Sequence, residues 1–244
     1  MAILQDATTP TSTLAIDAKG AIRVSDRPIY VGSLGAYQIS ASSGTVAAGL
    51  AGGSTVFSCR WGDATRLMLV RRVGILAQNA GTAFTAGTTL FDMVVGRSFS
   101  VSDSGQTALT PSGNLYKKRT NFGTSLITDM RIINTAAITV GTRTLDANAM
   151  ATVRGSVQAT ATNYLMVGSN MGSYAGMTAA AIAATSNGSA RALDIWFPEI
   201  GNSWPLVLVQ NEGFIIRATV PATGTWTFTV EMEWAEIASG LGYD

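Results

Sequence analysis

The chain has 244 residues, one cysteine and no histidine, and its 16 basic and 15 acidic side chains give a net charge of +1. This composition excludes a Ser-His-Asp triad, a His-ligated metal site and an intramolecular disulfide, and it gives no basic footprint for nucleic acid. From this composition we expect a non-enzymatic protein without cofactor, metal ion or nucleic-acid partner. No apolar run is long enough to span a bilayer, so we also expect no membrane segment.

The N-terminal segment, residues 1–30, has no strong hydrophobic period and contains Pro10 and Pro28. Such a segment is expected to be an extended arm that lies along a neighbouring surface instead of folding on its own. Ile3 and Leu4 are its candidate assembly contacts. Residues 31–244 are predicted to form a single domain, because all-β chains of this size often fold as one unit.

Apolar and β-branched runs predict the strands of the first two thirds of the chain. They are Ser54–Trp61, Arg66–Ala77, Thr88–Val95 continuing through Gly96–Val101, and shorter pieces within 128–145. Gly74 is a candidate bulge in the second strand, and the single cysteine, Cys59, is expected to be a small buried hydrophobe. Arg71 and Arg72 are adjacent and so point to opposite faces. We expect one of them to face inward or an interface and to pair with a carboxylate.

A polar segment, residues 102–125, is rich in Ser, Gly, Asn and Thr and is long for a loop. Loops of this length are usually functional or make contacts between subunits. The segment contains the only basic triplet, Lys117, Lys118 and Arg119. A phosphate or nucleic-acid site is one interpretation of this triplet, and a solvated loop or a contact with an acidic partner surface is the favoured one.

Residues 159–191 are rich in Ala, Met, Ser, Asn and Gly. They are predicted to be an excursion between strands, with one short helix at Met177–Thr185. Further along, Trp196 and Trp204 flank Pro198 and Pro205. These two aromatic side chains are candidates for a surface platform that stacks on a glycan.

The strongest periodic pattern is TWTFTVEMEWAEI at residues 225–237. Apolar side chains occupy every second position, so one face of this predicted core strand is wholly apolar: Trp226, Phe228, Val230, Met232 and Trp234. That face must pack on another layer, and a second sheet is favoured. Two shorter runs, 205–210 and 214–220, precede it, and the spacing predicts an antiparallel meander. In the intervening turn, Gly213 is expected to take positive φ.

Glu231 and Glu233 lie on the polar face of the core strand, two residues apart. Their side chains are expected to lie about 7 Å apart, from a rise of about 3.3 Å per residue. Paired carboxylates can perform acid–base chemistry or bind a cation. The favoured interpretation is a solvated or intersubunit strand face, because glycoside hydrolysis needs two carboxylates opposed across a cleft.

Four phrases carry a resemblance to a known family. They are FDMVVGRSFSVSDSGQTALTPSGN, KKRTNFGTSLITDMRI, NTAAITVGTRTLDA and PLVLVQNEGFIIRATVPATGTWTFTVEMEWAEI. Over residues 55–155 and 203–237 the chain resembles a family of virion structural proteins of tailed bacteriophages. The match covers neither the N-terminal arm nor residues 159–191.

The resemblance implies an all-β fold, a jelly-roll-like antiparallel β-sandwich with an extended arm and long loops. It implies a capsid decoration or minor capsid protein, present in many copies on a virion assembled in the bacterial cytoplasm. The implied partners are the major capsid protein or other virion proteins and further copies of the chain, with a trimer as the implied oligomer. A tail- or fibre-associated module that binds a receptor or glycan is the alternative.

Overall fold

The computed structural model describes residues 34–46, 50–80, 82–157, 164–167, 193–196 and 205–239. Ile3, Leu4, Trp204 and the helix predicted at Met177–Thr185 lie outside these residues. The described residues contain no helix, and they form thirteen strands: β1 (Gly35–Ser42), β2 (Ser54–Trp61), β3 (Arg66–Ala80), β4 (Gly87–Phe99), β5 (Thr107–Ala108), β6 (Asp129–Ile132), β7 (Arg143–Leu145), β8 (Ala151–Val157), β9 (Tyr164–Val167), β10 (Leu193–Trp196), β11 (Leu206–Leu208), β12 (Glu212–Thr219) and β13 (Trp226–Ala238).

The strands build two antiparallel sheets that pack face to face. The first sheet has the order β1-β13-β3, and β9, β10 and β11 pair with successive parts of the other edge of β3. The second sheet has the order β5-β6-β2-β12-β4, and β7 and β8 share the other edge of β4. The predicted all-β antiparallel sandwich is therefore confirmed.

One hydrophobic cluster between the sheets contains side chains from both of them. The core strand β13 supplies five of its members, each at most 2% exposed: Trp226, Phe228, Val230, Met232 and Trp234. Strand β3 pairs with β13 from end to end and adds Met68, Val70, Val73 and Ile75 to the same cluster. A smaller buried cluster lies on the outer face of the first sheet, around Leu69 and Ile237.

The meander predicted for the C-terminal third is wrong. Strand β11 pairs with β3 in the first sheet, and β12 lies between β2 and β4 in the second sheet. Strand β13 returns to the first sheet, between β1 and β3. The three strands therefore alternate between the sheets. Turn residues specify that the chain reverses, but they do not specify which sheet the next strand joins.

Two local predictions about glycines are also wrong. Asn211 takes the positive φ of the turn before β12, at 64°. Gly213 lies in β12, where a Cβ would sit 2.2 Å from the carbonyl oxygen of Cys59, so glycine serves the close approach of β2. Gly74 pairs regularly with Glu231, and the register between β3 and β13 shifts at Arg71. On the other edge of β3 the register with β10 shifts between Asp194, the partner of Gly74, and Trp196, so the extra residue there belongs to β10. A glycine permits a bulge, but the pairing of both strands decides its position.

Candidate functional site

Two of the three glutamates of β13, Glu231 and Glu233, lie on the outer face of the first sheet, opposite the core side chains. Glu231 pairs with Arg72 at 2.7 Å, and the same guanidinium pairs with Asp194 of β10 at 2.5 Å. Glu233 pairs with Lys118 at 2.7 Å. Each glutamate is therefore paired with a cation of the same chain, and Arg72 is shared between Glu231 and Asp194, so the ion pairs connect three strands and a loop.

One of the two adjacent arginines, Arg72, forms the predicted pair with a carboxylate, but it does so on the outer face of the first sheet, beside Glu231 and Glu233, and does not face the core. Arg72 is 9% exposed and contacts two carboxylates, whereas Arg71 is exposed at the register shift. The extra residue at Arg71 lets Arg72 lie opposite Glu233 in the pairing with β13. A guanidinium presents several donors in a plane, which suits contacts with two carboxylates at once.

Residues 109–128, named the strap here, run from β5 to β6 in the second sheet and contact the edge of the first sheet on the way. The amide of Leu109 donates to a carbonyl of β6 at 2.8 Å. Further on, the amide of Gln38 in β1 donates to the carbonyl of Tyr116 at 2.7 Å, and the amide of Lys118 donates to the carbonyl of Ala36 at 2.9 Å. The strap therefore closes one open side of the sandwich and covers part of the edge of β1.

The basic triplet on the strap does not converge on one site. Lys117 donates to the side-chain oxygen of Asn114 at 3.3 Å. Lys118 pairs with Glu233, and the guanidinium of Arg119 lies 5.4 Å from the ring centroid of Phe122. Three different directions do not form the convergent set of donors that a phosphate site requires. The acidic surface that Lys118 contacts belongs to this chain.

A buried carboxylate, Glu236, holds the end of the strap against the core. Its side chain is fully buried. One carboxylate oxygen accepts hydrogen bonds from the Ser125 hydroxyl at 2.6 Å and the Leu126 amide at 2.9 Å. The other oxygen lies 3.5 Å from a guanidinium nitrogen of Arg66. Burial raises the pKa of Glu236, and the hydrogen bonds and Arg66 act in the opposite direction.

Two aromatic side chains complete the environment of this carboxylate. The Trp234 indole donates to the Ser125 hydroxyl oxygen at 3.2 Å. The Tyr37 ring stacks on Trp234 with centroids 5.3 Å apart, and its hydroxyl donates to the carbonyl of Gly123 at 3.0 Å. Burial raises the pKa of Tyr37 to about 12, with a further contribution from the charge of Glu236. Tyr37 is therefore a neutral donor to the strap at physiological pH.

The outer face of the second sheet carries a row of arginine–aspartate pairs. They are Arg60–Asp129, Arg97–Asp146, Arg143–Asp103 and Arg217–Asp92. The third pair is the most buried, with side-chain exposures of 4% for Arg143 and 1% for Asp103. Asp103 also accepts the Gly141 amide at 2.8 Å, and Arg143 donates to the Thr55 hydroxyl at 3.1 Å. This ion pair therefore holds the loops that contain Asp103 and Gly141 against the second sheet.

The remaining predicted sites do not assemble into a centre in the described part of the chain. Trp196 is half-buried and packs against the core cluster, so only part of its ring is available for stacking. No group of three or more Cys, Asp or Glu side chains in the described ranges is arranged to hold a metal ion. Those ranges also contain no helix that is long and apolar enough to cross a membrane.

Sequence reasoning missed the two most buried carboxylates among the described residues, Glu236 and Asp103. Glu236 continues the alternation of the core strand, because it follows Trp234 by two residues and so faces inward. The alternation of β13 could therefore have predicted that the side chain of Glu236 faces the core. Asp103 and Arg143 are 40 residues apart, on segments without a clear period, so no sequence pattern indicated their pairing.

Comparisons with known proteins add no relative to this picture. No protein-family model, no curated protein and no solved structure matches the chain.

Proposed function

We propose that the protein is a structural component of a tailed-bacteriophage virion, a decoration or minor capsid protein that stabilises the head by non-covalent contacts. The observation that carries the proposal is the strand order. Strands β1, β13 and β3 are neighbours in one sheet, and β2, β12 and β4 are neighbours in the other. This interleaved order supports a jelly roll, in which two Greek keys wind into facing sheets, and jelly rolls build many viral capsid domains.

The distribution of charge supports an adhesive role. The arginine–aspartate pairs connect strands and loops on the outer face of the second sheet. The ion pairs of Glu231 and Glu233 connect strands of the first sheet with each other and with the strap. These contacts make a rigid block whose remaining surface polarity comes largely from Ser, Thr and Gly. Such a surface suits extensive wet contacts with the major capsid protein, in which each individual contact is weak. Many copies on one particle then gain strength through effective concentration.

Binding to particles that lack the protein tests this function. Purified protein should bind such particles at hundreds of sites, and the decorated particles should withstand heat and osmotic shock better than undecorated ones. Failure to bind, together with normal resistance of undecorated particles, would contradict the proposal. The oligomeric state in solution, with a trimer expected, is measured by light scattering in the same preparation.

A tail-associated module that binds a host receptor or glycan is the second candidate, since jelly rolls also serve as lectin domains. The partly exposed ring of Trp196 is the observation that favours it. A copy number of only a handful per particle, together with glycan-array binding that Trp196→Ala abolishes, would select this candidate over head decoration. Hundreds of copies and no glycan binding would reject it.

A further inference from the structure

The strap is tied to the first sheet at two places of different character. Near its middle it makes backbone hydrogen bonds with β1 and an ion pair between Lys118 and Glu233, whose side chains are 36% and 24% exposed. Near its end it depends on the fully buried carboxylate of Glu236, which accepts from Ser125 and Leu126 on the strap. The second tie is therefore shielded from water for as long as the strap is closed.

We propose that Glu236 is a pH-sensitive latch that holds the strap closed over the end of the core, such that the closed strap retains a proton and rising pH favours opening. The reason is the burial of the side chain, which the contacts with Ser125, Leu126 and Arg66 offset only in part. Closing the strap removes this carboxyl from water, and a charged carboxylate loses much more hydration free energy than a neutral carboxyl. Opening the strap returns the side chain to water, where it ionises freely.

The direction of the effect follows from linkage. Burial raises the pKa of Glu236 above its ordinary value of 4.5 when the strap is closed. The stabilisation of the closed strap is therefore complete below that ordinary pKa, and it is lost as pH rises through the raised pKa. Between these two pKa values the ratio of closed to open strap falls by up to about tenfold per pH unit.

Few other charges face this carboxyl in the described residues. Arg66 reaches it from β3, with a guanidinium nitrogen 3.5 Å from a carboxylate oxygen. Tyr37 faces it from β1 and, with a pKa of about 12, remains protonated. The strap itself supplies only the neutral hydroxyl of Ser125 and the amide of Leu126. Titration between acidic and mildly alkaline pH at this place therefore belongs to Glu236.

The hydrogen-exchange rates of two backbone amides report directly how often the strap opens. The Leu126 amide donates to Glu236 itself, and the Lys118 amide donates to β1, so both are released when the strap opens. The Ile133 amide donates to Val56 at 2.9 Å in the second sheet and serves as the reference for global unfolding. Protection is measured from about pH 4 to about pH 9 by NMR on the full chain and corrected for intrinsic base catalysis.

In the wild type, protection of Leu126 and Lys118 should fall with rising pH by up to about tenfold per unit, while Ile133 keeps a flat profile. Glu236→Gln should abolish the slope. Glu231→Gln, on the same strand but paired with Arg72, should leave it intact. A flat wild-type profile, an equal slope at Ile133, or a slope that survives in Glu236→Gln would overturn the latch.

A second variant covers the case in which Glu236→Gln does not fold. Ser125→Ala keeps the carboxyl but removes one of its donors. The loss of a hydrogen bond to the charged form favours the neutral form. The fall in protection should therefore move to higher pH, and an unchanged midpoint would contradict the assignment to Glu236.

Discussion

The buried pair between Asp103 and Arg143 is expected to be the most costly single ion pair to break in the described structure. Asp103→Asn keeps the shape of the side chain and an oxygen for the Gly141 amide, but it leaves the Arg143 charge without its counter-ion. Both side chains are at most 4% exposed, so water does not replace the lost partner. Removing one partner of a buried pair costs about 3–5 kcal/mol of unfolding free energy.

Urea denaturation followed by tryptophan fluorescence measures this cost. Asp146→Asn is the matched control, because its pair with Arg97 is 39% and 52% exposed and should contribute only about 0–1 kcal/mol. The double variant Asp103→Asn/Arg143→Met removes both charges of this pair, so it should be less destabilised than the sum of the two single variants. Equal costs for Asp103→Asn and Asp146→Asn, or strict additivity in the double variant, would refute this reasoning.

Three further predictions use the same denaturation assay or a thiol reagent. Gly141→Ala should lower the free energy of unfolding by about 1–3 kcal/mol, because a Cβ would lie 2.2 Å and 2.4 Å from two backbone carbonyl oxygens. Gly123→Ala is the control, and it should leave the stability nearly unchanged because the space around Gly123 is open. Glu233→Gln should cost at most about 1 kcal/mol, and the difference from wild type should shrink in high salt, because its partner lysine is partly exposed. Cys59 should react with a thiol reagent only after unfolding, because burial raises the pKa of its thiol; modification of the folded protein at neutral pH would contradict this.

The clearest sequence predictions concern single strands. Ser54–Trp61 is β2 with the predicted ends, and the alternation from Trp226 to Trp234 puts the apolar side chains of β13 into the core. Such patterns are local, because the period of two follows from strand geometry alone. The carboxylate partner of Arg72 was also predicted, because an unpaired buried charge is costly, but its face was not, because the extra residue at Arg71 interrupts the alternation.

Which strands pair with each other could not be predicted from the sequence in the same way. The C-terminal strands have the turns of a meander, yet β12 pairs with β2 and β4, and β13 pairs with β1 and β3. Pairing depends on which apolar faces must meet across the core, and strands far apart in the sequence satisfy that requirement here. Strand pairing also explains why Asn211, and not Gly213, takes the positive φ of the turn before β12. The close approach of β2 at the Cys59 carbonyl already requires glycine at position 213.

The fold class and the positions of the core strands could be predicted from the amino-acid sequence alone, because strand periodicity and apolar content are properties of short segments. Its composition also excluded histidine-dependent chemistry and an intramolecular disulfide. The positions and partners of the charges, in contrast, follow from the fold. It placed Glu231 and Glu233 in ion pairs, buried Glu236 beneath the strap and joined Asp103 to Arg143. The physical reason is that the free energy of a charge depends on its neighbours and on its exposure to water, and folding sets both.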